Sequence, residues 1–191
     1  MARVIVYLHG FNSGSASVKG RQLENAVAAL ADPPLLYRPQ LHHRPQFAMA
    51  AIEGWLAQQR PARFGVVGSS LGGFYATWLA ERHGARAVLI NPAVRPCRDL
   101  AGYRGPQHNP YTGEDYTLTD EHVVELAALR VERITRAERY FLLVQTGDEV
   151  LDWHEAVAFY AGSYQSVQGG GDHAFADFAS QLPAILRFVD A

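Results

Sequence analysis

The pentapeptide Gly68-Ser69-Ser70-Leu71-Gly72 is the part of the chain whose residue types and spacing most directly indicate chemistry. It is a G-x-S-x-G motif between an apolar run, FGVV, that predicts a buried strand and an apolar periodicity that predicts a helix. Small residues two positions before and after Ser70 let the chain turn sharply, which exposes the serine hydroxyl above the end of the strand. The helix would begin with the Leu71 amide pointing at the group that Ser70 attacks. Ser70 is therefore a candidate nucleophile, and Leu71 a candidate donor to an oxyanion.

A glycine-rich turn between a strand and a helix can also serve only to pack tightly or to bind a phosphate. Phosphate-binding loops carry G-x-x-x-x-G-K-[ST] or G-x-G-x-x-G, and this stretch carries neither. The strand and helix patterns on its two sides also match the context that a nucleophilic serine requires. The motif therefore favours the catalytic interpretation.

A serine hydroxyl is a weak nucleophile at neutral pH, so it needs an imidazole to accept its proton and a carboxylate to orient that imidazole. His173 is the predicted base, because three consecutive glycines at 169–171 let its loop bend toward a site. Asp148 is the predicted acid, since it follows a strand pattern. Glu149 lies one residue farther along the loop and stays a competitor, whereas Asp152 is explained as the N-cap of a helix.

The other seven histidines have simpler interpretations. His154 lies in the first turn of a predicted helix and His83 near the end of another. Four lie in polar stretches where a solvated side chain is expected: His42, His43, His108 and His122. His9 opens the loop His9-Gly10-Phe11, which we expect it to shape by hydrogen bonds. An oxyanion needs two convergent donors, and the Phe11 amide is predicted to be the second, beside that of Leu71.

Six short apolar runs predict the strands that position these residues, at about 3–8, 35–39, 64–67, 86–90, 140–145 and 164–167. Amphipathic segments predict helices between them. Strands that lack in-out alternation and that alternate with helices are typical of a parallel sheet covered on both faces. We therefore predict a three-layer α/β/α sandwich with a mostly parallel six-stranded sheet. Sites in such sheets lie beyond the carboxyl ends of the strands, where the predicted site residues also lie.

Two stretches depart from this alternation. Residues 94–116 are rich in Gly, Pro, Tyr and Asn, which predicts an irregular excursion over the mouth of the site. Three tyrosines would give it packing of its own: Tyr103, Tyr111 and Tyr116. A helix around 123–129 then returns to the body. The last predicted helix, at about 175–189, contains Pro183, which we expect to kink it.

Length and composition exclude several classes of protein. A chain of 191 residues, 48% of them hydrophobic, is expected to form one domain, residues 1–191, with a short cover segment at about 94–130. The formal net charge is −2 and the arginines are dispersed, which disfavours nucleic acid as a partner. The single Cys97 excludes an internal disulfide, and without HExxH or CxxC motifs we predict neither a metal nor another cofactor. The first apolar run is too short for a signal peptide or a membrane span, so we expect a cytoplasmic protein without membrane insertion.

Six stretches resemble the α/β-hydrolase superfamily and, within it, the small bacterial esterases of the YqiA type, the UPF0227 family: YLHGFNSG, VVGSSLGGFYATWLAE, NPAVRP, NPYTGEDY, QTGDEVLDW and GGGDHAF. They span most of the chain. The chain order Ser70, Asp148, His173 is also that of the catalytic residues in α/β-hydrolases. The resemblance implies a minimal α/β-hydrolase fold and an esterase with these three catalytic residues and the Phe11 and Leu71 amides at the oxyanion.

The sequence therefore predicts a serine hydrolase that cleaves a small-molecule carboxylic ester through an acyl-enzyme, and a thioester would suit the same residues. Two alternatives stay open: a non-catalytic binding protein with a hydrolase fold, and acyl transfer or perhydrolysis on the same residues. The short cover segment favours a shallow, open pocket for small or single-chain acyl groups. The resemblance assigns no catalytic role to Arg95 or Asn109, for which holding the cover segment is the alternative, and the sequence leaves the oligomeric state open.

Overall fold

The computed structural model describes residues 3–190, which contain eight strands and seven helices. The strands are β1 Arg3–Leu8, β2 Leu35–Tyr37, β3 Arg63–Ser69, β4 Arg86–Ile90, β5 Gly105–Asn109, β6 Glu114–Leu118, β7 Tyr140–Gln145 and β8 Tyr164–Gln168. The helices are α1 Val18–Ala28, α2 Pro45–Gln59, α3 Leu71–His83, α4 Pro96–Asp99, α5 Asp120–Ala128, α6 Trp153–Phe159 and α7 Leu182–Val189. Three short 3₁₀ turns span Leu100–Tyr103, Ala137–Arg139 and Phe178–Gln181.

Six of the strands form one sheet in the order β2-β1-β3-β4-β7-β8. Every neighbouring pair in this sheet is parallel. Parallel neighbours need a crossover between them, and the helices provide it. The predicted six-stranded sheet is therefore confirmed, including β8, the strand with the weakest sequence pattern.

Two hydrophobic cores lie on the two faces of the sheet. Helices α2, α3 and α6 pack on one face, and α1 and α7 on the other. Along β1, Val6 belongs to the first core and its neighbour Tyr7 to the second, and both are fully buried. This burial on both faces is the reason that the strands read as continuous apolar runs.

The cover segment contains more regular structure than its composition indicates. It includes α4, a 3₁₀ turn and an antiparallel hairpin in which Gly105 pairs with Leu118 and Asn109 with Glu114. The prediction of an irregular excursion is therefore wrong over these two strands. Their residues, GPQHN and EDYTL, are mostly polar and lack the apolar pattern by which strands are recognised, but pairing still satisfies their backbone groups.

The end of the chain also differs from the prediction. A 3₁₀ turn precedes α7, which begins only at Leu182, so the prediction of a helix over 175–189 is confirmed for 182–189 and wrong for 175–181. Pro183 lies in the first turn of α7, where its missing N–H needs no partner, and it kinks nothing. Phe175 and Asp177 have left-handed φ values of 64° and 58°, which interrupt the helix that the apolar spacing favours.

Candidate active site

Ser70 lies on a strained turn between β3 and α3. Its φ and ψ are 56° and −122°, a combination that residues other than glycine rarely adopt. Hydrogen bonds hold this backbone: the Ser70 amide donates to the Ile90 carbonyl at 3.0 Å, and the Ser70 carbonyl accepts from the Gly73 and Ala93 amides. The turn therefore presents the Ser70 side chain at the carboxyl edge of the sheet, as the motif predicts.

Glycines make this turn possible because backbone packs directly on backbone around it. A Cβ built on Gly72 would overlap the carbonyl of Leu8, and one built on Gly68 would overlap the backbone of Gly72. A Cβ on Gly10 would lie 3.1 Å from that of Ser70. The loop after β1 and the turn after β3 thus meet closely enough to exclude side chains between them.

The structure brings the three predicted catalytic residues into one hydrogen-bonded chain. The Ser70 Oγ lies 3.0 Å from the His173 Nε2, and the His173 Nδ1 lies 2.9 Å from each carboxylate oxygen of Asp148. Because an ionised carboxylate only accepts, the Nδ1 carries the proton of a neutral ring. The Nε2 is then free to accept the proton of the Ser70 hydroxyl.

Asp148 is enclosed, with a side chain only 2% exposed. Its Oδ1 also accepts from the Val150 and Leu151 amides, both at 2.9 Å. Burial by itself would raise the pKa of Asp148, but the hydrogen bonds from His173 and from the two amides outweigh it, and the pKa lies below its usual value. The carboxylate therefore stays ionised at neutral pH and holds the His173 ring in one tautomer.

The two competing carboxylates have other partners. The Glu149 Oε2 accepts from the backbone amide of His173 at 2.9 Å, which lowers the pKa of Glu149 but leaves the imidazole ring to Asp148. Asp152 caps α6, since its Oδ1 accepts from the His154 amide at 3.0 Å. Only Asp148 among these three contacts the His173 ring in the described part of the chain.

The two residues whose amides are predicted to receive an oxyanion lie near Ser70: Leu71 follows it in the chain, and Phe11 lines the same cavity. Phe11 follows β1 and Leu71 opens α3. Between residues 3 and 190 neither amide has a hydrogen-bond acceptor, so both are available to a ligand. His9 stabilises the first of these loops: its Nδ1 donates to the Gly10 carbonyl at 2.9 Å and its Nε2 accepts from the Leu41 amide at 3.0 Å. Burial lowers the pKa of His9, which keeps this ring neutral.

A cavity of about 570 Å³ opens beside Ser70 and His173. Phe11 and Tyr111 line it, so the cover segment contributes to its wall. Lys19 also reaches this cavity and donates to the Ala174 carbonyl at 2.7 Å. Arg95 lies elsewhere, at a second cavity of about 470 Å³ that none of the three hydrogen-bonded residues lines.

Asn109 attaches the cover segment to the loop that follows β1. It is 7% exposed, donates from its Nδ2 to the Ser13 carbonyl at 3.1 Å and accepts at its Oδ1 from the Tyr111 amide at 2.9 Å. It therefore holds both the loop after β1 and the tyrosine that lines the cavity. A lone Asn in a polar stretch carries no sequence signal for this role.

The expectation of solvated side chains is wrong for two histidines. His122 is 4% exposed, and its Nε2 lies 2.9 Å from the Nδ1 of His43. The His122 Nδ1 accepts from the Thr119 amide at 3.1 Å, so its Nε2 carries the proton and donates to His43. The His43 ring stacks on Tyr116 of the hairpin. These contacts join segments that are far apart in the chain, and no local pattern indicates them.

Two properties of residues 3–190 concern metal binding and membrane crossing. Over residues 3–190, no group of three or more His, Cys, Asp or Glu side chains is arranged to hold a metal ion. None of the helices in that range combines the length and apolar character that a membrane crossing requires.

Comparison with known proteins shows the family and the fold to which this chain belongs. Residues 4–190 match the family described as "Uncharacterised protein family (UPF0227)". A UPF0227 protein of Yersinia pseudotuberculosis serotype O:1b is 24% identical over 192 residues, a match that covers 97% of this chain and 98% of that protein.

Two solved structures are similar to the fold. Mouse alpha/beta hydrolase domain-containing protein 10 has a TM-score of 0.72 at 16% identity, over 98% of this chain and 88% of that one. Est1E from Butyrivibrio proteoclasticus, with ferulic acid bound, has a TM-score of 0.73 at 13% identity, over 97% of this chain and 87% of that one. At such identities the likeness establishes the fold, which is that of the α/β-hydrolases.

Proposed function

The chain belongs to the UPF0227 family, and from that premise and the geometry around Ser70 we propose that it is a serine hydrolase that cleaves carboxylic esters through an acyl-enzyme. The observation that carries the proposal is the unbroken chain of hydrogen bonds from a serine at positive φ, through His173, to a buried carboxylate. A protein that only binds a ligand has no need of a strained serine aligned with a base and an acid.

In the first step the Ser70 Oγ attacks the acyl carbon while its proton passes to the His173 Nε2, 3.0 Å away. The ionised Asp148 stabilises the imidazolium that forms. The negative charge that develops on the acyl oxygen is received by the Phe11 and Leu71 amides, and the Leu71 amide also lies at the positive end of the α3 dipole.

Collapse of this intermediate breaks the bond to the leaving alcohol, which takes the proton from the His173 Nε2. Water then enters, gives a proton to His173 and attacks the acyl carbon, and the departing Ser70 oxygen recovers that proton. The cycle needs no group besides the substrate, water and these residues.

The cavity supports a substrate of moderate size. Its volume of about 570 Å³ lies in the range of small-molecule sites, and it opens directly at Ser70. We propose that it takes small or single-chain acyl groups, with the cover segment, residues 94–130, lining one side through Tyr111. The description of one structural neighbour as an alpha/beta hydrolase domain-containing protein supports a hydrolytic reaction on this fold.

Thioesters are the second candidate substrate, because the same attack and the same proton transfers apply to a thiol leaving group. Acyl transfer to an acceptor other than water, including perhydrolysis, would use the same acyl-enzyme and differ only in the second nucleophile. Product analysis after mixing the acyl-enzyme with water, an alcohol or peroxide separates these outcomes.

The proposal is tested by labelling the purified protein with a fluorophosphonate and locating the modified residue by peptide mass analysis. We expect modification at Ser70, its loss in Ser70→Ala, and labelling roughly 10³-fold slower in His173→Ala, since the serine loses its base. Ser69→Ala is the matched control, because Ser69 is the buried neighbour in the same motif and should leave the labelling unchanged.

Turnover of p-nitrophenyl esters and acyl thioesters is measured on the same four proteins. Hydrolysis by the wild type and by Ser69→Ala, with loss in the other two, is the expected pattern. A folded wild-type protein that is neither labelled nor active on any of these substrates would contradict the proposal and favour a binding role.

A further inference from the structure

Two buried carboxamides, from Asn91 and Gln145, lie directly behind the loop that carries His173. Asn91 follows β4 and is 2% exposed; Gln145 is the last residue of β7 and is 4% exposed. Among residues 3–190 neither side chain hydrogen-bonds to Ser70, and neither belongs to the hydrogen-bonded chain of the proposed mechanism. Buried polar side chains are costly unless their groups are all paired, so their partners indicate what they do.

Gln145 binds the His173 loop at three backbone groups. Its Oε1 accepts from the Asp172 amide at 3.1 Å and the Ala176 amide at 2.8 Å, and its Nε2 donates to the Ala176 carbonyl at 2.8 Å. The Nε2 also donates to the side chain of Gln168 in the neighbouring strand. The carboxamide therefore clamps the loop on both sides of His173.

Asn91 binds the same loop and also binds Gln145. Its Nδ2 donates to the Asp172 carbonyl at 2.9 Å and to the His173 carbonyl at 3.2 Å, and its Oδ1 accepts from the Gln145 amide at 3.0 Å. Because amides must donate and carbonyls must accept, these partners define the orientation of both carboxamides. Asn91 also has a positive φ of 39°, a conformation that persists only where the surroundings hold it.

The glycine run before His173 is adapted to the same contact. A Cβ on Gly171 would overlap the Gln145 carboxamide, and Gly171 has a φ of +74°. Gly170 accepts from the Gly147 amide at 2.8 Å, next to Asp148. The run therefore holds the His173 loop against β7 instead of only giving it freedom to bend.

Asn91 also connects this loop to the nucleophile. It follows Ile90, whose carbonyl accepts from the Ser70 amide at 3.0 Å. The backbone of the nucleophile turn and that of the base loop are thus held by consecutive residues at the end of one strand. A displacement of either carboxamide would change the distance between the Ser70 Oγ and the His173 Nε2.

The geometry points to Asn91 and Gln145 as positioning residues that hold the His173 imidazole in line with Ser70. This inference rests on the proposed function for its kinetic consequence, because it is the proton transfer to His173 that depends on the alignment. A misplacement of about 1 Å at such a contact costs on the order of 10²-fold in rate. The substrate cavity is not lined by either residue, so substrate binding should change little.

The test uses Gln145→Met, which keeps the size of the side chain and removes all its hydrogen bonds to the loop. Gln165→Met is the matched control: Gln165 lies on β8, is partly buried and donates to two backbone carbonyls, of Val157 and Tyr160, away from His173. Asn91→Asp is the second variant, since it keeps the acceptor for the Gln145 amide and removes the two donations to the loop.

Thermal unfolding, kcat and KM on a p-nitrophenyl ester, and the rate of fluorophosphonate labelling are measured on all four proteins. We expect kcat and labelling to fall about 10²-fold in Gln145→Met and Asn91→Asp, with KM within about threefold of the wild type. Gln165→Met should lose stability but keep its kcat. A folded Gln145→Met or Asn91→Asp with the kcat of the Gln165→Met control would overturn the inference.

A readout that does not need activity separates this inference from the proposed function. The ¹H–¹³C signal of the His173 ring Cε1–H, assigned by its loss in His173→Ala, should shift in Gln145→Met and Asn91→Asp and stay in place in Gln165→Met. If the wild type is inactive but the signal follows this pattern, the proposed function fails and the positioning role stands. A signal that is unchanged in both carboxamide variants would overturn the positioning role even in an active enzyme.

Discussion

The sheet edge around Ser70 and the cover segment beside it are held in place by different kinds of contact. At the edge, backbone packs on backbone, since Gly72 lies against Leu8 and the Gly147 amide donates to the Gly170 carbonyl at 2.8 Å; the buried Asn91 and Gln145 carboxamides add side-chain contacts to the His173 loop. The cover segment is attached by side chains, among them Asn109 to the Ser13 carbonyl and the Tyr116 hydroxyl to the Asn12 side chain at 2.8 Å. The edge therefore leaves almost no room for change, whereas the cover segment can be altered one side chain at a time.

The two regions also differ in the charge state that they need. The edge depends on an ionised Asp148, whose pKa lies below its usual value. The cover segment depends on the contact between His43 and His122, whose pKa values are both lowered, chiefly by burial, and which are therefore both neutral. Acid should therefore disturb the contact between His43 and His122 before it protonates Asp148.

The largest effect is expected from Asp148→Asn, which tests whether Asp148 is the carboxylate that orients His173. Asparagine keeps the shape but no longer holds His173 in the tautomer that accepts from Ser70, so kcat should fall about 10⁴-fold. Glu149→Gln is the control, because Glu149 contacts only the backbone of His173, and its kcat should stay within about tenfold. Steady-state kinetics on one ester measures both. An equal loss of kcat in Glu149→Gln would contradict the assignment of Asp148 as the acid.

The second prediction compares how much stability is lost when a Cβ is added to a glycine in each region. Gly72→Ala would place a Cβ into the Leu8 carbonyl, and we expect it to lower the free energy of unfolding by about 3 kcal/mol. Gly102→Ala lies in the cover segment with no atom within 4 Å of the added Cβ, and should change that free energy by less than about 0.5 kcal/mol. Urea denaturation measures both. A Gly72→Ala protein as stable as the wild type would mean that the edge adjusts more freely than its packing indicates.

The smallest effect is a difference in pH dependence. Because the pKa values of His43 and His122 are lowered on folding, the unfolded chain binds more protons, and their contribution to stability falls as the pH drops below about 6.5. The pKa of Asp148 is lowered as well, but its contribution is lost only below about pH 4. Hydrogen exchange should therefore show the β5–β6 hairpin losing protection between neutral pH and pH 5 while β3 keeps it.

The control for this pH effect replaces both histidines by residues that do not titrate. His43→Gln with His122→Gln should give a hairpin whose protection no longer changes over this range. The other groups that face the pair are unchanged in the variant: His42, Arg44, Glu114, Glu121 and Glu125. A pH step that persists without the histidines would assign the effect to other groups.

Much of the candidate site follows from local signals. The G-x-S-x-G motif between a strand and a helix predicts the turn at Ser70, and strand ends predict where Asp148 and His173 lie. Parallel strands carry their sites at one edge, so convergence of these loops is expected without any knowledge of contacts. The six strands of the main sheet are also predictable from the sequence, because burial on both faces gives continuous apolar runs.

The parts that could not be predicted are polar and long-range. The hairpin of β5 and β6 has no apolar alternation, so its pairing carries no periodic signal. The carboxamide of Asn91 reaches a partner 81 residues away, and His43 reaches His122 across 79 residues. A hydrogen bond depends on the positions of two atoms, and a single Asn or His in a sequence does not indicate which distant atom will meet it.

Local patterns of residues were enough to predict the six strands of the main sheet, the serine turn and the edge of the sheet at which the site lies, because each depends on residues close together in the chain. Tertiary structure alone decided which carboxylate meets the His173 ring, which carboxamides hold its loop and how the cover segment is attached. These choices depend on distances between segments, and only the packed fold brings those segments to hydrogen-bonding range.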